Sequence, residues 1–286
     1  MIFSLFTLIR EKQKLFFIFF LCSSLSACSP GFIYQNLSWM IYWYVDDYVE
    51  LSEEQQQQLT TIVDETLVWH KAQELPRYRE YLASVDAKLD QPLSKNDIAS
   101  MQGFMTGSVK NLQESIAPTI LPLFKTLNKE QKKTFWKKLD KDQAEYEKDL
   151  LSRSNKEYVE DLKEKYISFA ERLLGFLTEE QKIVMETETS NMIRADDIWL
   201  NARRAWLDDI KFQSEQQTSD WQTRVQAAWF ERDKHYSVAN KLKIDERDQQ
   251  ARQLLLTILN ERTDKQTKNF RKFIRNWQNK FTRWEK

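Results

Sequence analysis

Three times the chain writes the same five-residue form: Leu, a small polar residue, any residue, Glu, Gln. The copies are Leu51-Ser52-Glu53-Glu54-Gln55, Leu127-Asn128-Lys129-Glu130-Gln131 and Leu177-Thr178-Glu179-Glu180-Gln181. Each reads as a helix start. The Ser, Asn or Thr side chain accepts from an unpaired first-turn N–H, and the Gln three residues on reaches back to the N–H of the cap itself. The Glu suits the positive end of the helix dipole, and the leading Leu serves as a hydrophobic staple. Ser94-Lys95-Asn96-Asp97 and Thr263-Asp264-Lys265-Gln266 are weaker versions. A chain that opens helices so often, yet holds only four Gly and five Pro in 286 residues and no Asn-Gly or Asp-Gly, lacks the turns that strands need. The expected fold is all-α, a multi-helix bundle of long amphipathic helices with a C-terminal helical extension from about Gln213.

Helical spacing follows each start. Leu59, Ile62 or Val63, Thr66 and Trp69 or His70 form one stripe; Phe135, Leu139, Tyr146 and Leu150 form another. Val159, Leu162, Tyr166, Phe169, Leu173 and Phe176 alternate steps of three and four, a heptad seam for packing on neighbouring helices. Glu74-Leu75-Pro76 should end or kink the second helix, Gln91-Pro92-Leu93 should end the third, and Pro118 with Pro122 should bracket a short irregular stretch. Ser152 to Asn155 and Leu174 to Leu177 have the length of tight helix–helix connections. No proline follows Pro122, so long helices are expected after Thr178, punctuated by Trp199, Trp206, Trp221 and Trp229.

The first 28 residues obey different rules. Arg10, Lys12 and Lys14 precede an apolar run from Leu15 to Leu25, and Leu25-Ser26-Ala27-Cys28 closes it with small residues and a cysteine. That order resembles the signal of bacterial lipoproteins. The resemblance implies a leader of residues 1–27 and a Cys28 that carries diacylglycerol on its sulfur and an acyl chain, commonly palmitate, on its amino group. An uncleaved span is the competing reading, but Leu15 to Leu25 falls short of the ~20 apolar residues a bilayer requires. Ser29, where inner-membrane lipoproteins carry Asp, implies the periplasmic side of the outer membrane of a two-membrane bacterium. On this reading a lipid-anchored helical domain covers 28–212 and the extension covers 213–286. Cys22 leaves with the leader and Cys28 is acylated, so neither a disulfide nor a cysteine metal site is expected. The 43 basic and 43 acidic residues balance, which argues against nucleic acid as a partner.

Only Ser29-Pro30-Gly31 separates Cys28 from Phe32 to Val49, so the body should sit close to the membrane. That segment sets Trp39, Tyr42, Trp43, Tyr44 and Tyr48 among Leu37, Met40, Ile41, Val45 and Val49, and as a helix it is apolar nearly all round. Such a helix is either sandwiched in the bundle or shares its surface with lipid headgroups, where Trp and Tyr are at home. Burial is the expectation, because a helix apolar on most faces is usually core. Trp43 with Asp46-Asp47-Tyr48, Leu51 with Gln55, Trp69-His70, and Glu74-Leu75-Pro76-Arg77-Tyr78 resemble the shared pattern of a group of proteobacterial lipoproteins of unknown function. This resemblance runs from Cys28 to about Ile210 and implies no activity.

Nothing in the sequence assembles a catalytic set. Histidine occurs only at His70 and His235, and there is no Gly-x-Ser-x-Gly elbow or phosphate-binding glycine loop. No enzyme activity, cofactor, metal or small-molecule substrate is expected. Asp46-Asp47 and Asp196-Asp197 are each adjacent, so on a helix their side chains diverge by about 100°. One acid from each pair could converge as in glycoside hydrolysis, but caps, ion pairs and solvated faces are the expected roles. His70 is expected to pack beside Trp69 and Pro76 rather than act as a base.

Charge is unevenly placed. No Lys or Arg lies between Cys28 and Trp69, where Asp46, Asp47, Glu50, Glu53, Glu54, Asp64 and Glu65 are all acidic. From Arg262 to Lys286 the balance reverses, with Lys268, Arg271, Lys272 and Arg275 prominent, and Phe270, Phe273 or Ile274, Trp277, Phe281 and Trp284 add an apolar stripe at helical spacing. This basic amphipathic helix is expected to pack its stripe on the bundle and neutralise the acidic N-terminal region; the sharper reading is a second contact with membrane or envelope. Asp46, Asp47, Lys268, Arg271, Lys272 and Arg275 are therefore the candidate interaction surface. The function expected is a non-enzymatic, lipid-anchored binding or scaffold protein of the envelope, held to the membrane through Cys28 and meeting an envelope protein. A second class is a periplasmic chaperone, since the Leu-(Ser/Thr)-x-Glu-Gln starts resemble the Leu-Thr-x-x-Gln motifs of Spy-type chaperones. A cell-wall glycosidase built on the carboxylates is a third.

Overall fold

The computed structural model describes Tyr34 and residues 36–216 and 218–286. The leader, Cys28, the Ser29-Pro30-Gly31 tether and Phe32 lie outside the described residues. Within them the chain is all-α and holds no strand. Its order is α1 (Leu37–Asp46), α2 (Glu53–Trp69), a π-helical turn (His70–Glu74), α3 (Leu75–Lys88), α4 (Lys95–Thr126), α5 (Lys129–Leu151), α6 (Asn155–Leu174), α7 (Glu179–Ser190), α8 (Asp196–Glu215), α9 (Trp221–Phe230), a 3-10 turn (Arg232–His235), α10 (Val238–Asn260) and α11 (Asp264–Trp284).

All three Leu-led starts form full capping boxes, and so do the two weaker ones and Ser154 with Glu157. Four of the boxes then do something local propensity does not require: their Gln side chains pair across the fold. Gln131 Nε2 donates to Gln55 Oε1 at 2.8 Å, and Gln55 Nε2 returns to Gln131 Oε1 at 3.4 Å. Gln266 Nε2 donates to Gln181 Oε1 at 2.6 Å, and Gln181 Nε2 returns to Gln266 Oε1 at 3.3 Å. Each amide also donates to the carbonyl just ahead of its partner's motif. Gln131 reaches Glu50 O and Gln55 reaches Thr126 O; Gln266 reaches Phe176 O and Gln181 reaches Glu261 O. The two sites thus match residue for residue, binding the start of α2 to that of α5 and the start of α7 to that of α11.

The 32-residue α4, about 48 Å long at 1.5 Å per residue, links the two sites. Near its start Ile98 enters the largest core, which gathers Leu89 of the α3 end, Leu162 and Leu174 of α6, Met185 of α7, Ile258 of α10 and Ile274 of α11. Near its end Leu123 joins Leu59, Ile62 and Val63 of α2, with Val49 and Leu51, in a second core. Leu121 meets Trp221 and Val225 of α9 in a third.

Four expectations need correction. Pro118 and Pro122 do not interrupt the chain: α4 runs through both. Each removes one helical donor, but Ala117 and Leu121 are buried on that stretch, and Gln222 Nε2 of α9 reaches the Pro118 carbonyl that Pro122 leaves unpaired, at 3.5 Å. The aromatic N-terminal helix is not core. No residue of α1 is buried, and Trp39, Trp43 and Tyr44 are 67%, 42% and 46% exposed, because α1 packs mainly on α2 and turns Ile41, Tyr42 and Val45 to the second core. The seam on α6 is centred one residue away, with Tyr158, Leu162, Ala170 and Leu174 buried, since that line faces both α7 and α11. Gln213 marks no break in packing either: α10 and α11 supply Leu254, Ile258, Leu259, Phe270 and Ile274 to the same core as α3, α6 and α7.

Gln181 and Gln266 are 1% and 0% exposed, so removing one leaves a buried amide unpaired. Gln181→Ala and Gln266→Ala should each cost about 1–3 kcal/mol in urea unfolding. The double variant should cost less than their sum, because the second change removes the unpaired partner. Gly175 ends α6 at φ +82°, and a Cβ there would lie 2.5 Å from Asn269 Nδ2, which itself donates to Leu174 O at 2.8 Å. Gly175→Ala should therefore lower stability by at least about 1–2 kcal/mol, read as a drop in the same urea midpoint.

Candidate functional site

The most concentrated polar chemistry lies where α2 gives way to α3. Pro76 has no N–H to offer Ala72, and in a regular helix its ring would press on that carbonyl. The backbone widens ahead of it instead: the Leu75 N–H bonds to His70 O, five residues back. The expected kink is thus a π-helical turn, a form often found at functional sites. The added residue turns both His70 and Glu74 inward.

Glu74 is 2% exposed yet carries a carboxylate. It accepts from Arg77 Nε at 3.2 Å and from Asn111 Nδ2 of α4 at 2.9 Å, and Arg77 Nη2 also donates to Ser108 Oγ at 2.7 Å. The Arg77 guanidinium lies 4.5 Å from the Phe104 ring centre, which stacks on Tyr81. His70 sits between two phenols, with Tyr34 Oη at Nδ1 and Tyr78 Oη 3.4 Å from Nε2. A neutral imidazole donates from one nitrogen and accepts at the other, so one phenol donates to the ring and the other accepts from it. Tyr34 also stacks on Trp284 at 4.9 Å between centroids, and Tyr78 meets Phe281 edge-on at 5.6 Å. The cluster thereby joins the N-terminal segment, α3, α4 and the end of α11.

Burial holds the His70 imidazole below its ordinary value, opposed by the Glu74 carboxylate. Burial pushes the Glu74 carboxyl up, but hydrogen bonds from Arg77, Asn111 and Tyr78 outweigh it and hold the group below the usual range. Tyr78 is pushed up to about 12, first by burial and then by Glu74, and burial likewise raises Tyr34. The site therefore holds a neutral imidazole, an ionised Glu–Arg pair and two protonated phenols whose bonds are made to one another. An open cleft of about 310 Å³ at the Gln55–Gln131 pair is lined by Ser52 and Asn128, already engaged in capping, and by Thr126, whose hydroxyl accepts from Gln55 Nε2. Among the described residues no group of His, Cys, Asp and Glu is arranged to hold a metal ion.

The residues singled out from sequence are dispersed. Asp47 meets Lys138 at 3.4 Å in mid-α5, and Asp196 meets Arg153 at 2.8 Å just past the end of α5, so these acids lie about 20 Å apart along that helix and form no carboxylate pair. Asp46 is exposed at the end of α1. Arg271 pairs with Asp90 just past α3 at 2.8 Å and with Asp86 in α3 at 3.5 Å, neither in the acidic N-terminal region. Lys268, Lys272 and Arg275 are exposed on the side of α11 away from its buried line, next to Arg271, and make no salt bridge among the described residues. His70 does meet Trp69 edge-on at 6.3 Å, as expected, but its hydrogen-bond partners are Tyr34 and Tyr78. Sequence reasoning missed Tyr34, Ser108 and Asn111 altogether; the available signal was Glu74 and Arg77 three apart around a helix-breaking Pro76.

Fold and site together define a helical protein whose helix starts are clasped in pairs and whose densest polar cluster is closed on itself. The chain belongs to the family described as "Family of unknown function (DUF6279)", matched over residues 47–237. No curated protein and no solved structure matches it.

The pH dependence follows from His70. Its folded pKa lies below the ordinary 6.5, so between the two values the unfolded chain binds a proton that the folded one refuses. Stability should be level above about pH 7 and fall as pH drops from 6.5 toward the folded value. His70→Gln should flatten that limb in a urea series while leaving the separate loss that begins near pH 4.5, where Glu74 of the unfolded chain takes up a proton that the folded carboxylate still refuses.

Proposed function

We propose that this protein is a lipid-anchored, non-enzymatic binding or scaffold component of the bacterial envelope, held by acylated Cys28 on the periplasmic side of the outer membrane and engaging an envelope protein. The observation that carries this reading is the place of Tyr34. Only six residues beyond Cys28, it is hydrogen-bonded to His70 and stacked on Trp284, so a lipid at Cys28 would hold the folded body directly against the bilayer. The closed His70 and Glu74 network supports a structural role, since its polar groups are spent on one another and leave none aimed at a substrate. Among the described residues no helix is long and apolar enough to cross a membrane. The Leu-x-x-x-Gln starts are accounted for by the paired amides and carry no argument for client binding.

Metabolic labelling with a palmitate analogue tests the reading. The wild-type protein should take the label and partition into detergent, while Cys28→Ala should do neither. An unlabelled wild-type protein, or label that persists in Cys28→Ala, would overturn it. Crosslinking in cells should then yield one abundant envelope protein rather than a broad set of unfolded ones.

A further inference from the structure

Half-buried arginines in this fold are usually answered by a carboxylate, as Arg153 is by Asp161 and Asp196 and Arg204 by Glu147. Two are not. Arg203, in α8, and Arg232, in the 3-10 turn, are half-buried, and neither side chain makes a salt bridge or a hydrogen bond among the described residues. Arg203 Nη1 is fully enclosed and reaches no acceptor. Rings hold the two guanidiniums instead: Arg203 lies 6.0 Å from the Tyr146 ring centre and 5.9 Å from that of Trp199, and Arg232 lies 4.0 Å from that of Trp206. Trp199, Arg203 and Trp206 follow at steps of four and three, so they share one face of α8. The Trp206 indole is held in place by its Nε1, which donates to Ala228 O at 3.0 Å and Trp229 O at 3.2 Å. Burial and then repulsion from Arg203 hold the Arg232 guanidinium below its ordinary value, which marks the two charges as neighbours. The carboxylates whose charge reaches them are spent elsewhere. Glu147 accepts from Arg204 Nε at 2.8 Å and from Gln143 Nε2 at 2.7 Å, and Asp233 faces Lys241 at 3.7 Å.

We infer that Arg203 and Arg232 form a binding site for a phosphate group, with Tyr146, Trp199 and Trp206 as its walls. Two like charges brought together away from water, with no counter-ion, work against folding. A bound anion removes that cost and gives Arg203 Nη1 its acceptor. Two guanidiniums match the charge of about −1.5 to −2 that a phosphate monoester carries near neutral pH, where one carboxylate would leave a positive charge over. The planar guanidinium fork bonds phosphate oxygens in pairs, and packing on fixed rings sets its plane in advance. The phosphate belongs either to a soluble ester or to a lipid headgroup, and the chemistry of recognition is the same for both. The site stands apart from the His70 network and does not depend on an acyl chain at Cys28.

The test uses residues 28–286 with Cys28→Ala, which keep every described element and carry no lipid. Isothermal titration with inorganic phosphate, at an ionic strength held constant with sodium chloride, should show one saturable site. Arg203→Gln and Arg232→Gln should each weaken it about tenfold or more, the loss of a charged hydrogen bond. Arg203→Lys should weaken it less than Arg203→Gln, because it keeps the charge and gives up only the fork. In chloride alone Arg203→Gln should keep or raise the urea midpoint, since it relieves the repulsion between the two charges. No phosphate heat with the parent, unchanged affinity in both glutamine variants, or a lower midpoint for Arg203→Gln with phosphate affinity intact would overturn the inference. Flotation with vesicles of phosphatidic acid in phosphatidylcholine, against phosphatidylcholine alone, then names the source. Retention that inorganic phosphate displaces and Arg203→Gln abolishes assigns a lipid headgroup; phosphate binding without retention assigns a soluble ester.

Discussion

The fold depends on glutamine amides that serve two helices at once. A capping Gln normally satisfies one backbone N–H at its own helix start. Here Gln181 and Gln266 also close an amide pair with each other and take the carbonyls ahead of each other's motif, inside the largest core. Gln55 and Gln131 repeat the arrangement at the second core. Buried polar groups are costly unless every donor and acceptor is matched, so each pair tolerates little displacement and fixes the relative position of two helix starts. Long helices slide easily on apolar faces; these amides set their register.

The same principle governs the π-helical turn. Pro76 forces a local widening, and the residue gained turns Glu74 into the protein, where only the Arg77 and Asn111 bonds make its charge tolerable. His70, one turn earlier, then falls within reach of Tyr34 and Tyr78. The cluster ties the N-terminal segment to the end of α11.

Much of the architecture was legible in advance. The boxes at Ser52, Asn128 and Thr178 start helices as read, Pro92 separates α3 from α4, and the connections around Ser152 and Leu174 are short. The amphipathic α11 packs by its aromatic stripe, with Phe270 and Ile274 buried. The errors share one cause. Pro118 and Pro122 signal a break, but a donor from Gln222, over a hundred residues away, together with burial of Ala117 and Leu121, keeps the helix whole. The rings of α1 signal burial, but among the described residues α1 packs mainly on α2, and Trp39, Trp43 and Tyr44 stay exposed. At the site, Tyr34, Ser108 and Asn111 were illegible because nothing in their neighbourhood marks them; they matter through residues 31 to 37 positions away.

What the sequence alone determined is therefore the set of elements: where helices begin, which are amphipathic, where proline strains them, and that charge is divided between the two ends of the chain. These are local properties, set by hydrogen bonds and side-chain spacing within a few residues. Only the tertiary structure decided which caps clasp which, that Glu74 is an interior charge, and that Tyr34 meets His70 and Trp284. Those outcomes depend on desolvation and on partners distant in sequence, and no local pattern records which distant group will arrive to satisfy a buried amide, carboxylate or imidazole.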